Sequence, residues 1–257
     1  SEQEFLSFPM LKPFKGSQDV TEESAIYELR QQLIIQHNLK IPSVTQVLND
    51  TMSAADRQKL EIWKRKMIEE LGVEGFENLQ KKNFARGHGF HKCVASTLRG
   101  EKDVPVSKNV EALWESVRPV LSNVCDVSFL ESRVQHPFLW YRGIVDCVAY
   151  YENEIVVIDW KTAAKKKTSI TDLYDNPIQA VAYAGALNFD SNYQKLQISS
   201  ALIVVAYEDG SPADVHKLSP KLCDRFWELW LKRNLTYWSK PESQKTEKKK
   251  ETKRRPV

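Results

Sequence analysis

No stretch of this 257-residue chain approaches the ~20 consecutive apolar residues that a membrane-crossing helix needs. The longest apolar runs, Ile155 to Ile158 and Ala201 to Tyr207, have the length of strands, so a soluble protein without a membrane span is expected. Cysteine is scarce. Cys93, Cys125, Cys147 and Cys223 are widely spaced with no C-x-x-C pair, which supports neither a zinc ribbon nor an iron–sulfur cluster and fits reduced thiols in an intracellular compartment. Read without a partner, they are small core residues. The first residues carry neither an apolar signal core nor an Arg-rich amphipathic stretch, so no targeting segment is expected in this sequence. No internal repeat is evident. A strong charge of one sign is missing too: the net charge is +3, but the segment from Lys240 to Val257 holds eight basic and three acidic residues, leaving 29 basic and 31 acidic elsewhere. Global charge therefore does not argue for nucleic acid, and a local basic surface would have to.

The residues present divide the chain into a helical N-terminal part and a mixed remainder. Residues Ser1 to Val20, with Pro9, Pro13 and Gly16, read as an extended entry along the surface. Ile26, Leu29, Leu33 and Ile34 form a helical stripe over Glu22 to Leu39. Ser53, with Asp56 three residues on, resembles a capping box opening a helix that stops at Gly72. Its stripe of Leu60, Trp63, Met67 and Leu71 reads as core. A further helix over Gly75 to Leu98 is expected in one or two pieces, broken or strained near Gly87 and Gly89, and another over Val110 to Leu121.

From Asp126 the period changes to two, with β-branched and aromatic residues that predict strands over Val127 to Val134, Leu139 to Tyr151 and Glu154 to Trp160. The last two share the short Glu152-Asn153 turn and should pair antiparallel. Asn176-Pro177 is read as an N-cap and first helical residue of a helix to about Leu187. Strands over Leu196 to Tyr207 and Val215 to Leu218 follow, and Ser219-Pro220 opens a last helix bearing Phe226, Trp227, Trp230 and Leu231. This order predicts an α/β fold, a mixed sheet flanked by helices. Residues 1–239 are read as one domain with a helical N-terminal part, and 240–257 as a disordered basic tail.

The chemistry-bearing stretch is Gly143-x-x-Asp146 followed by Asp159-x-Lys161. Side chains alternate along a strand, so Asp159 and Lys161 share a face, and an antiparallel neighbour can bring Asp146 to it. Two carboxylates and an ammonium would then meet where the apolar run Ile155 to Ile158 turns ionic. Carboxylates suit Mg²⁺, with Mn²⁺ plausible, and such an ion polarises a phosphate and activates water. Lys161 would orient that water or neutralise charge developing on phosphorus. Alone, an Asp-x-Lys pair is more often an ordinary surface ion pair.

The supporting residues change that balance. Gly87-x-x-x-His91, Gly143-x-x-Asp146, Asp159-x-Lys161 and Gln179-x-x-x-Tyr183 follow one another in the order of the PD-(D/E)XK superfamily, and the chain resembles its RecB-like nucleases. The longer strings Ile158 to Thr162, Asp175 to Gln179 and Leu202 to Tyr207 narrow the likeness to exonucleases that maintain the mitochondrial genome of animals. The resemblance implies a restriction-endonuclease-like fold. It makes Asp146 and Asp159 metal-binding acids, Lys161 the catalytic lysine and His91 a metal ligand, although His91 alone reads better as a partly buried histidine. It gives Gln179 and Tyr183, one turn apart on a helix, a role in holding the site or the DNA.

The chain departs from many RecB-like members at Ala95, where they place an acid. A second metal would need another ligand, for which Glu131 is a candidate, while His88 reads as helix surface or substrate lining. The implied substrate is single-stranded DNA with a free end, cut during mitochondrial DNA replication and maintenance. A covering arch made by the helical N-terminal third would explain that preference. Lys165, Lys166 and Lys167 would attract phosphates, or form a solvated loop. Trp160, Tyr174 and Phe90 would stack on unpaired bases, or pack. A flap or other structure-specific endonuclease has the same four motifs, and a binding module with a decayed site is the alternative without chemistry.

Overall fold

The computed structural model describes residues 2–13, 40–193 and 196–240. The expected Glu22 to Leu39 helix and the tail beyond Lys240 lie outside them. Among the described residues no helix is long and apolar enough to cross a membrane.

Alternating patterning gives five strands, β1 (Val124–His136), β2 (Tyr141–Tyr151), β3 (Glu154–Ala163), β4 (Ser200–Tyr207) and β5 (Asp214–Leu218), in one sheet of that spatial order. All neighbours are antiparallel except β3 and β4. β4, Ser-Ala-Leu-Ile-Val-Val-Ala-Tyr, is buried at every residue, as its unbroken apolar run requires of a strand covered on both faces. Glu152 and Asn153 both take positive φ, so the tight turn joins β2 to β3 as its residue types allow.

Helices cover both faces. On one lie α1 (Glu2–Leu6), α2 (Val44–Asp50), α5 (Asn176–Phe189) and α6 (Pro220–Trp238), packing Val181, Leu187, Trp227 and Trp230 against Val157, Ile203 and Val205. On the other lie α4 (Glu111–Leu121) and the end of α3 (Ala54–Leu98), packing Phe90, Val94, Leu113 and Val117 against Val156, Ile158 and Leu202. Each such aliphatic or Phe side chain, fully buried, contributes about 1.5–3 kcal/mol. This mixed sheet between helical layers is the expected restriction-endonuclease-like architecture.

Four local expectations need correction. The entry is not simply extended: Glu2–Leu6 is helical, Met10 is buried, and the Trp227 indole N–H donates to Phe8 O at 2.7 Å. Asp175, not Asn176, occupies the N-cap of α5, and it makes no side-chain cap because its carboxylate faces Arg233 at 3.0 Å. α3 breaks at Gly72, as expected, where φ 71° and ψ 168° favour glycine. It does not break at Gly87 or Gly89, whose backbone stays helical.

The fourth correction is the largest. Leu60, Trp63 and Leu71, read as core, are 37%, 47% and 45% exposed, and Phe84 is 79% exposed. The first two-thirds of α3 is an arm standing off the sheet, bent at Gly72 so that Trp63 meets Phe76 edge-to-face at 5.9 Å. A 3.6-residue period shows that a face is apolar, not what covers it. Cys93, Cys147 and Cys223 are buried as expected, while Cys125 is exposed.

Candidate active site

The ladder between β2 and β3 runs from Tyr151↔Glu154 to Cys147↔Ile158 and goes no further. Beyond it the strands part, and the Asp146 carboxylate takes the place of a backbone partner, its Oδ2 accepting from the Trp160 N–H at 3.0 Å. The side-chain alternation of β2 slips by one residue here: Val145 and Val148 pack on one layer, Cys147 and Ala149 on the other. On β1 the register passes from Leu130↔Cys147 to Ser132↔Val145, and Glu131 between them takes φ 45°. Asp146 therefore emerges at an irregularity in the sheet, in the cleft between two diverging strands, and not simply by alternation.

Asp159 and Lys161 stay in regular alternation with Val157 and face α5. Lys161 Nζ stands 2.8 Å from Asp159 Oδ2 and donates to Gln179 Oε1 at 3.0 Å. The Gln179 amide N–H donates to the Tyr183 hydroxyl at 2.9 Å, so residues one turn apart on α5 extend one chain of contacts. The Tyr183 ring closely approaches Gly143, where an added Cβ would sit 2.3 Å from Tyr183 Cε1. The motif glycine is thus explained by the close approach of a ring. From the opposite layer, α3 supplies His91, whose Nδ1 is 3.5 Å from Asp146 Oδ1.

Charge is crowded. Burial pushes the Asp159 carboxyl up to about 6, with the Asp146 charge adding to that push while Lys161 and His91 pull against it. Burial disfavours the charged form of His91, but the Asp146 and Asp159 carboxylates outweigh it and its pKa lies above the ordinary value. Burial, with both carboxylates nearby, holds the Tyr183 phenol well above its usual range. The Cys147 thiol is pushed up to about 12 by burial and by Asp146, so it stays protonated and inert.

A divalent cation fits this chemistry. The Asp159 carboxylate is buried with one ammonium, Lys161, at its Oδ2, while the Asp146 charge lies close enough to push its pKa up, a concentration of negative charge that a cation would offset. Among the described residues no three His, Cys, Asp or Glu side chains enclose a cation by themselves. Mg²⁺ keeps several waters and takes substrate oxygens in its remaining positions, so one or two carboxylates are protein ligands enough for it.

All six sequence-selected residues, His91, Asp146, Asp159, Lys161, Gln179 and Tyr183, fall in this one connected cluster. Others do not. His88 is exposed on α3. Glu131 lines a small pocket with His91, Ala95 and Asp146, but its carboxylate is paired with Arg99 at 2.9 Å. Trp160 and Phe90 are buried, so packing is their role. One contributor had no sequence signal, the Trp160 N–H, which is a main-chain group. Outside the cluster, Arg86, five residues before His91, pairs with Glu208 just past β4, 122 residues away.

The chain matches the PD-(D/E)XK nuclease superfamily over residues 115–253, a span that holds Asp146, Asp159, Lys161, Gln179 and Tyr183 but not His91. It is 40% identical over 246 residues to Mitochondrial genome maintenance exonuclease 1 of Homo sapiens, which covers 94% of this chain and 70% of that protein. Proteins of the same name from Mus musculus and Xenopus tropicalis are 43% and 44% identical over 202 and 209 residues. Against those two the match covers 78% and 80% of this chain, and 60% and 59% of theirs. With the mixed sheet, the parted strands and the ordered motifs on one side and these likenesses on the other, the chain belongs to the PD-(D/E)XK nuclease superfamily.

Proposed function

We propose that this chain is a metal-dependent exonuclease that hydrolyses single-stranded DNA from free ends, in mitochondrial DNA replication and maintenance. The observation that carries the reading is that β2 and β3 part at Asp146 and Asp159, with Lys161 2.8 Å from Asp159 and His91 3.5 Å from Asp146. Nucleases of this superfamily typically use divalent metal ions. Here Asp146 and Asp159, with His91, would hold Mg²⁺ or Mn²⁺, carboxylate oxygens being hard ligands and imidazole a borderline one. When bound, such a cation polarises the scissile phosphodiester and makes water a stronger nucleophile.

The protein's own groups supply position. Lys161 is held between Asp159 and Gln179, so its ammonium sits ready to orient the attacking water and to offset charge building on the phosphate oxygens. Tyr183 fixes Gln179, and Gly143 leaves room for Tyr183. The Trp160 N–H locks one Asp146 oxygen and leaves the other toward His91.

The names of the relatives support both the exonuclease activity and the mitochondrial setting. Circular and linear single-stranded DNA of one sequence, incubated with Mg²⁺, separate this reading from an endonuclease. The linear strand should be consumed and the circle left intact. A nicked circle would replace end recognition with internal cutting, and resistance of both would favour a binding module.

A further inference from the structure

We infer that Tyr174, with Lys167 behind it, is a base-stacking platform that positions the single strand beside the scissile bond. The inference rests on single-stranded DNA being the substrate. Both residues lie on the crossover from β3 to α5, whose two ends meet at the site through the Lys161–Gln179 hydrogen bond. The crossover therefore leaves the site and returns to it.

Each residue is held from beneath. The Lys167 backbone N–H donates to the Tyr207 hydroxyl at 2.9 Å, and its carbonyl accepts from His216 Nε2 at 2.7 Å. Tyr207 in turn donates to Asp214 Oδ2 at 2.5 Å, and both Tyr207 and His216 are buried. Tyr174 lies between Leu173, buried in the core, and Asp175, clamped by Arg233. A capping box on Ser169 and Asp172 fixes the preceding turn.

So held, Tyr174 adopts φ 51° and ψ −122°, a backbone conformation that bulky side chains rarely take and that persists only when the surroundings impose it. Its ring is not used for packing: it is 78% exposed. The Lys167 ammonium lies over one face, 4.8 Å from the centroid. That leaves the other face for a planar group and places a cation where a strand's phosphate would pass. Stacking on an aromatic ring is tolerant of base identity because every base has a π-face, which fits an enzyme that must pass any sequence. Of Trp160, Tyr174 and Phe90, Trp160 and Phe90 are fully buried, so Tyr174 alone of them is available to a base.

The test compares wild type, Tyr174→Ala and Tyr174→Phe on a deoxythymidine oligomer and on an abasic oligomer of equal length. Affinity is read by fluorescence anisotropy with Ca²⁺, and cleavage with Mg²⁺. Tyr174→Ala should weaken binding to the thymidine oligomer about tenfold and raise KM to match, with kcat within about twofold and the melting temperature held. Tyr174→Phe should restore binding, and on the abasic chain all three should bind alike. Equal binding by wild type and Tyr174→Ala, or the same loss on both oligomers, would overturn the platform while leaving the nuclease reading intact. A wild type that neither binds nor cuts the thymidine oligomer would overturn the substrate reading and this inference with it.

Discussion

The two halves of β3 obey different rules. From Val156 to Ile158 the strand has a partner on both sides and its side chains are fully buried. From Asp159 onward the parallel ladder to β4 continues, but the partner on β2 has gone. Its place is taken by a carboxylate, and the side chains turn ionic. One half is built for stability; the other holds two close carboxylates, one of them buried, that favour neither each other nor the interior. The site exists because the sheet is allowed to open there, and the first half is what keeps the opening local.

Breaking the ionic half has the largest expected effect. Asp146→Ala removes one carboxylate and leaves the Trp160 N–H without its acceptor. Cleavage should fall about 10²- to 10³-fold, the scale seen when one transition-state contact is lost. Mn²⁺ affinity, read by calorimetry, should fall with it. Breaking the apolar half does the opposite. Ile158→Ala empties a fully buried site and should destabilise the fold by about 3 kcal/mol in urea unfolding, while kcat per folded molecule stays near wild type.

A third change sharpens the contrast by reversing its sign. Because burial raises the Asp159 carboxyl to about 6 from 3.8, the folded state keeps a proton that the unfolded chain has lost between those values. Its contribution to stability is therefore present below the unfolded pKa and lost as pH rises to about 6. Asp159→Asn escapes the penalty. In EDTA it should be more stable than wild type at pH 7–8 by on the order of 2 kcal/mol, a gain that shrinks below pH 6 and vanishes near pH 4. The smallest effect belongs to the arm. Trp63→Ala should change stability by no more than about 0.5 kcal/mol in the same unfolding assay, since Trp63 is 47% exposed.

These regions also differ in how far the sequence could be read. The pair Asp159-x-Lys161 was legible because a strand alternates strictly, and Gln179 with Tyr183 because a helix brings i and i+4 together. The place of Asp146 was only half legible. Its slip depends on where hydrogen bonding between β2 and β3 stops, which is a property of two strands and not of either. Gly72 announced itself because the helix ends there at a positive φ, while Gly89 mattered for a different reason, its close approach to Val110; nothing in the structure explains Gly87. The stripe of Leu60, Trp63 and Leu71 misled because amphipathic helices usually lie on a core, and no local signal distinguishes a covered face from an open one. Arg86 and Glu208 were invisible because their partnership is tertiary.

Digestion of end-labelled linear single-stranded DNA with Mg²⁺, comparing the intact protein with Asp159→Ala and Lys161→Ala, tests the central claim most directly. Both variants, folded as judged by circular dichroism, should lose cleavage while the intact protein consumes the strand. Equal cleavage by all three would place the chemistry outside the parted strands.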